Sequence, residues 1–255
     1  MKIDKIQKRG SKYKIFLDNG DIIDTLDEVI LSNNLLYNKN IDDELLEKIK
    51  TDTLYYASYN RVMTLISKRL RSRYEVKKYL KKLNVSLKDS EKMLKKLEDL
   101  GLIDDEKFAR AYINDKINLS MVGPIKIMKE LEKHNVDLVM VNSILSSIPK
   151  NVIDERIDKL LMKKVKANRK YSTYVLTQKI IQYLVNLGYG RADIDRHLDK
   201  IKTDKKVIEK EISKVDRLLS RKFSGDELKI RLKQKLYSRG FKSDDVEEYL
   251  NKRQF

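Results

Sequence analysis

Laid over itself at offsets near 52 residues, the chain repeats. Leu80, Leu131, Leu184 and Leu236 fall in register, and four residues after each come Asn84, Asn135, Gly188 and Gly240. Asn and Gly most readily adopt the left-handed conformation that ends a helix. The next column holds Val85, Val136, Tyr189 and Phe241, where an apolar side chain can fold back onto the helix just ended. Leu94, Leu145, Leu198 and Leu250 stand fourteen residues after the first leucines. The unit is three helices of about 10 to 17 residues each, too small to be stable alone and stabilised by its neighbours.

The repeats fall at 53–100, 104–148, 151–201 and 204–253. The fold class that follows is mainly α: tandem three-helix-bundle repeats forming an elongated curved arm, on the order of 80 to 100 Å long if each unit spans two helix diameters. Residues 1–52 read differently, as a small β-rich N-terminal extension with a helix. "KIDKIQ", "KYKIFL" and "DIIDTL" are short strands, the last two joined through Asn19-Gly20, which offers the positive φ angles of a tight hairpin turn. Such a sheet needs a covering surface, which "LDEVILSNNLL" supplies as a helix. Pro124 and Pro149 suit first helical turns, where no N–H is needed.

Charge separates the two parts. Residues 1–54 hold 9 Lys+Arg against 11 Asp+Glu, and the helical remainder 47 against 28, an excess of 19 positive charges. That excess favours a polyanion or an acidic protein surface as partner. The absence of cysteine excludes disulfides, thiolate metal sites and cysteine nucleophiles. With no apolar run long enough for a signal peptide or a bilayer span, a cytoplasmic protein without a membrane partner is expected.

The stretch "GLIDDEKFA", 101–109, sets two carboxylates side by side. Gly101 ends one helix; Asp104 begins the next by accepting from its free backbone N–H groups, and Asp105 and Glu106 lie in a first turn whose dipole favours negative charge. Ile103 and Phe108 occupy the two positions of a hydrophobic staple. The pair therefore reads as a cap rather than a metal or acid/base site.

The basic residues cluster on a few helices: Arg69, Arg71, Arg73, Lys77, Lys78 and Lys81; then Arg169 and Lys170; then Arg221, Lys222, Lys229, Arg231, Lys233, Lys235 and Arg239. Spacings such as Lys77 with Lys81, or Lys229 with Lys233, put like charges on one face, which is destabilising unless something neutralises them. A solvated face is the ordinary alternative. Tyr55, Tyr56, Tyr59, Tyr74, Tyr79, Tyr171 and Tyr174 interleave with these charges and could stack on bases, although half-buried packing is the commoner use of a helical tyrosine. His134 and His197 carry no motif around them, no phosphate-cradling Gly-x-x-x-x-Gly-Lys occurs, and Asp193 and Asp195 fall on different sides of a helix. No cofactor and no enzymatic activity are expected.

Three segments, "RLRSRYEVKKYLKKLNV", "LEDLGLIDDEKFARAYIND" and "RKFSGDELKIRLKQKLYSRGFKSDDVEEYL", resemble the RecX family of bacterial modulators of the RecA recombinase. The likeness runs from about residue 55 to the end, and the N-terminal strands match the longer form with a β-rich extension. Its signature joins Gly101, Asp104, Asp105 and Phe108 to the helix-end glycines Gly188 and Gly240 and to the ending Arg239-Gly240-Phe241. "KINLSMVGPIKIMKELEKHNVD" departs from it, with Gly-Pro where many members carry an Arg-rich start. The resemblance implies a non-enzymatic regulator, mainly an inhibitor, lying in the groove of the RecA filament on single-stranded DNA. There it blocks growth or promotes disassembly, so modulating recombination, DNA repair and the SOS response. The implied partners are the RecA filament and DNA, single-stranded and also double-stranded, with the basic residues above as candidate contacts and a monomer as the simplest state. The charge alone supports a second reading, a helical-repeat protein whose main ligand is DNA or RNA itself. A nucleic-acid hydrolase is a third.

Overall fold

The computed structural model describes residues 1–10, 12–167, 171–201 and 205–253. The chain divides into two compact units, Met1–Ala111 with Lys133–Val136, and Tyr112–Glu132 with Asp137–Phe255.

The first unit opens with an antiparallel sheet in the order β1 (Ile3–Arg9), β2 (Lys12–Leu17), β3 (Ile22–Leu26). Alternation along β2 turns Ile15 and Leu17 inward, where they meet Val29 and Ile30 of α1 (Asp27–Ser32) together with Leu35, Ile41 and Ile49. The β2–β3 hairpin differs from the expected turn. Only Gly20 has positive φ, +90°, and not Asn19. The Gly20 N–H donates to Leu17 O (3.0 Å) and the Leu17 N–H to Asp21 O (2.9 Å), which makes a three-residue loop with glycine at its left-handed position.

Helix α2 (Asp43–Ile66) starts at Asp42, whose carboxylate accepts from Leu45 N–H (2.8 Å), and contains neither Gly nor Pro. It therefore runs without a break through residues 52 and 53, where the extension and the first repeat were divided in sequence. Its first half closes the core under the sheet, and Thr53 Oγ1 pairs with Thr25 Oγ1 of β3 at 2.7 Å. Its second half brings Val62 to Val76 and Leu80 of α3 (Arg73–Lys82), Met93, Leu94 and Leu97 of α4 (Leu87–Asp99), and Ile103. Tyr55, Tyr59 and Tyr79 pack against this second core and Tyr56 against the first.

Beyond α5 (Asp105–Leu119), the second unit holds α6 (Pro124–Glu132), α7 (Leu138–Ser146), α8 (Lys150–Ala167) and α9 (Thr173–Asn186). Helix α10 (Arg191–Asp195) and a 3₁₀ turn at Leu198–Lys200 follow, then α11 (Lys205–Leu219), α12 (Gly225–Ser238) and α13 (Ser243–Lys252). Ile157, Leu161, Ile180, Leu184, Tyr189 and Ile194 centre one core; Ile212, Leu232, Leu236, Val246 and Leu250 centre another. Pro124 is the first residue of α6, whereas Pro149 stands one residue before α8, its carbonyl accepting from Val152 N–H (3.0 Å). A third helix of at least ten residues after Tyr189 is not formed. The chain tightens there, and His197 is buried against α8.

The repeat columns are visible in the backbone. Asn84, Asn135, Gly188 and Gly240 have φ of +58°, +53°, +90° and +73°. Leu80, Leu131, Leu184 and Leu236, four residues earlier, are fully buried.

Three of these turns receive the start of a distant helix. In the first unit, Ser72 caps α3 by accepting from Glu75 N–H (3.2 Å) and donates its own hydroxyl to His134 O (3.3 Å), the carbonyl before Asn135. In the second unit, Ser172 caps α9 in the same way and donates to Arg239 O (3.1 Å), the carbonyl before Gly240. Between them in sequence the corresponding residue is Gly123. Its N–H donates to Leu187 O (2.7 Å) while Ile125 N–H donates to Gly188 O (3.0 Å), and a Cβ on Gly123 would lie 2.5 Å from the Gly188 carbonyl carbon. The Gly-Pro departure thus replaces a serine bridge by direct backbone contact, which only glycine permits.

Candidate partner-binding surfaces

The carboxylate pair at 104–105 serves two helices. Asp104 caps α5, accepting from Lys107 N–H at 2.9 Å, and this bond holds its carboxyl below the ordinary 3.8. Ile103 and Phe108 are buried on either side of the cap. Asp105 turns instead to α3 and accepts from the Arg73 backbone N–H at 2.7 Å. Burial raises its pKa, and the Arg73 hydrogen bond opposes that rise only in part. Gly101, with φ +67°, ends α4.

Acidic side chains, some on the same helix and some on neighbouring ones, neutralise several of the candidate cations. Glu75 holds Arg69 at 2.8 Å and Arg71 at 3.7 Å. Glu91 joins Lys77 (2.5 Å) to Arg73 (2.5 Å), and Glu98 takes the Nε of Arg73 at 2.7 Å. Glu91 is accordingly held below its ordinary value, first by Lys77 and then by Arg73. The like-charge face expected of Lys77 and Lys81 is therefore not formed, because Lys77 carries its own carboxylate. On α12, Lys233 pairs with Glu247 (2.5 Å), and Arg231 lies 3.8 Å from Glu227 and over the Phe223 ring. Lys229 is exposed on the same helix.

Other cations remain uncompensated. Among the described residues, Lys78, Lys81, Arg221, Lys222, Lys235 and Arg239 are exposed and have no carboxylate partner. Arg169 and Lys170 lie outside the described residues. Lys82, the last residue of the basic run KKYLKK, and Lys133, which no sequence pattern singles out, are also exposed without such a partner among the described residues; Lys82 stands one turn beyond Lys78 on α3.

His197 is buried, with Nδ1 2.7 Å from Asp158 and Nε2 3.0 Å from Asp154, both on α8. The His197 contact is the main cause of the lowered pKa of Asp154, and Arg196 adds to it. At Asp158 burial works the other way, but Lys200 and His197 outweigh it. The His134 ring packs against Phe108, with centroids 5.3 Å apart, and lies 3.7 Å from Glu75. Among the described residues there is no group of three His, Asp or Glu able to hold a metal ion, and no helix long and apolar enough to cross a membrane.

Fold and surfaces together define a basic, mainly helical repeat protein headed by a small antiparallel sheet. No family model matches the chain. It is 26% identical over 260 residues to regulatory protein RecX of Listeria innocua serovar 6a, covering 98% of this chain and 96% of that protein. It is 28% identical to regulatory protein RecX of Streptococcus pneumoniae serotype 19F, covering 96% and 97%. A crystal structure of regulatory protein RecX superposes with a TM-score of 0.66 and 27% identity over 76% of this chain and 97% of that one. RecX from Lactobacillus salivarius gives 0.56 and 26% over 58% and 96%. Along nearly its whole length the chain is thus similar to RecX regulatory proteins, in sequence and in fold.

Proposed function

We propose that this protein regulates the RecA recombinase, mainly as an inhibitor. It binds in the groove of the RecA filament on single-stranded DNA, blocks growth or promotes disassembly, and so tempers recombination, DNA repair and the SOS response. The observation that carries the reading is the similarity to RecX proteins along nearly the whole of both chains. We read the helical region as four repeats, 53–100, 104–148, 151–201 and 204–253, whose successive turns offer equivalent contacts to a polymer with a regular protomer spacing. The protein acts as a cytoplasmic monomer without a cofactor and without catalysis of its own.

The uncompensated cations on α3 and α12 favour one second reading, in which DNA or RNA itself is the main ligand. Salt separates the two. Contacts that neutralise six to ten phosphates lose roughly 10³ to 10⁵ in affinity between 50 and 200 mM salt, and an interface anchored by packed side chains loses far less. Binding to RecA-coated single strands that survives at 200 mM salt, with weak salt-sensitive binding to bare strands, is the expected result. Equal affinity for both at that salt would overturn the filament reading.

A further inference from the structure

Within the first unit, a cleft of about 310 Å³ opens beside α3. Leu65 of α2 forms one wall, Lys133 and His134 of the turn at Asn135 another, and Arg71, Tyr74, Glu75, Lys78, Tyr79 and Lys82 the third. That volume falls in the range, roughly 300 to 1,000 Å³, in which proteins hold small organic groups.

Its lining is cationic and aromatic. Tyr74, Lys78 and Lys82 follow one another at intervals of four along α3, so they share a side of the helix, with the two ammonium stems about 6 Å apart along its axis. Among the described residues, Lys78, Lys82 and Lys133 have no carboxylate partner. The single carboxylate in the lining, Glu75, is already taken by Arg69 and Arg71. Arg71 itself has a buried Nε with no acceptor. Tyr74 stays 40% exposed, unlike Tyr55, Tyr59 and Tyr79, which pack on the core. A wall of unneutralised donors beside an exposed aromatic ring matches a ligand that alternates phosphate with an unpaired base.

We propose that this cleft binds single-stranded nucleic acid, with phosphates on Lys78, Lys82 and Lys133 and a base stacked on Tyr74. The proposal deepens the functional reading above, since it names the place where the strand carried by the filament touches this protein, and it rests on that reading for its biological setting. A duplex fits the cleft poorly because its bases are already stacked and cannot reach the tyrosine. An acidic protein surface would use the lysines and leave the ring idle.

The test uses the full chain and a fluorescein-labelled oligothymidine, with anisotropy read from 25 to 200 mM salt and no recombinase present. Replacing Lys78, Lys82 and Lys133 together by Ala should lower the slope of log affinity against log salt by about 2, because each phosphate contact to a single strand contributes roughly 0.7. Tyr74→Ala should weaken binding about 5- to 150-fold at an unchanged slope, and Tyr74→Phe should keep wild-type affinity, as base stacking requires. Unchanged affinity and slope in the lysine variant would overturn the proposal, as would equal losses for Tyr74→Ala and Tyr74→Phe or no binding by the wild type. Thermal melts of the same variants, expected to match wild type for these exposed residues, separate binding from folding. Because no RecA is present, failure here leaves the filament reading to its own assay, and a cleft that binds DNA in a protein without effect on RecA would be equally visible.

Discussion

The contact between Gly123 and Gly188 allows a worked prediction. Gly123 does not have positive φ, so alanine suits its own backbone, and shortening the unfolded chain's freedom even stabilises by about 0.4–1 kcal/mol. The obstacle is the neighbour, since the new methyl would meet the Gly188 carbonyl carbon and oxygen at 2.5 Å and Tyr189 N at 2.6 Å, all of them backbone atoms. Relief requires the start of α6 to move away by about 1 Å, which takes the Gly123 N–H to Leu187 O and Ile125 N–H to Gly188 O bonds beyond normal length. Losing two such bonds costs about 1–3 kcal/mol, and the strain of an overpacked contact a further 1–3 kcal/mol. The net loss for Gly123→Ala is therefore about 2–5 kcal/mol, a fall of roughly 5 to 20 °C in the midpoint for a unit of this size. Gly101→Ala is the control: it has φ +67° but open space around its Cβ, and should lose only about 1 kcal/mol for the left-handed backbone. Urea and thermal melts followed by helical circular dichroism decide between them. A Gly123→Ala midpoint no lower than that of Gly101→Ala would refute the close-contact argument.

Asp105→Ala should destabilise the first unit by about 1 kcal/mol through loss of the acceptor for Arg73 N–H, while Asp105→Asn, which still accepts, should stay near wild type; equal effects in urea melts would mean that the charge matters and not the hydrogen bond. Asp154 has a lowered pKa in the fold, so its contribution is complete above the unfolded value near 3.8 and is lost as pH falls through the folded value. Stability against pH should accordingly fall less steeply below pH 4 in Asp154→Asn than in wild type, and parallel acid limbs would contradict this. Reversing Arg221, Lys222, Lys235 and Arg239 to Glu should weaken regulation of RecA with the melting midpoint nearly kept, since none of them has a carboxylate partner among the described residues; full regulation by that variant would remove the face from the site. Lys233 is a poorer choice, because reversal there would set two carboxylates together at Glu247.

These predictions divide according to how far apart in sequence the interacting groups lie. The cap at Asp104 was legible because its partner is three residues away, and the helix-end positions Asn84, Asn135, Gly188 and Gly240 because Gly and Asn share one backbone preference. The second duty of Asp105 was not, since its acceptor role is toward a residue 32 positions earlier. The bridges from Ser72 to His134 and from Ser172 to Arg239 span 62 and 67 residues and leave no local pattern. Charge counting likewise could not separate Lys77, neutralised by Glu91 on another helix, from Lys78 beside it. Periodicity also does not say which core a face meets: α2 is one uninterrupted helix whose two halves serve different cores.

The most direct measurement is ATP hydrolysis by the cognate RecA on single-stranded DNA, with this protein titrated upward from far below the RecA concentration. Inhibition at a small fraction of one molecule per RecA protomer is the predicted result, because a regulator that caps a filament or nucleates its breakage needs few copies. Hydrolysis that stays unchanged up to one molecule per protomer, under conditions where the protein binds the bare strand tightly, would contradict it.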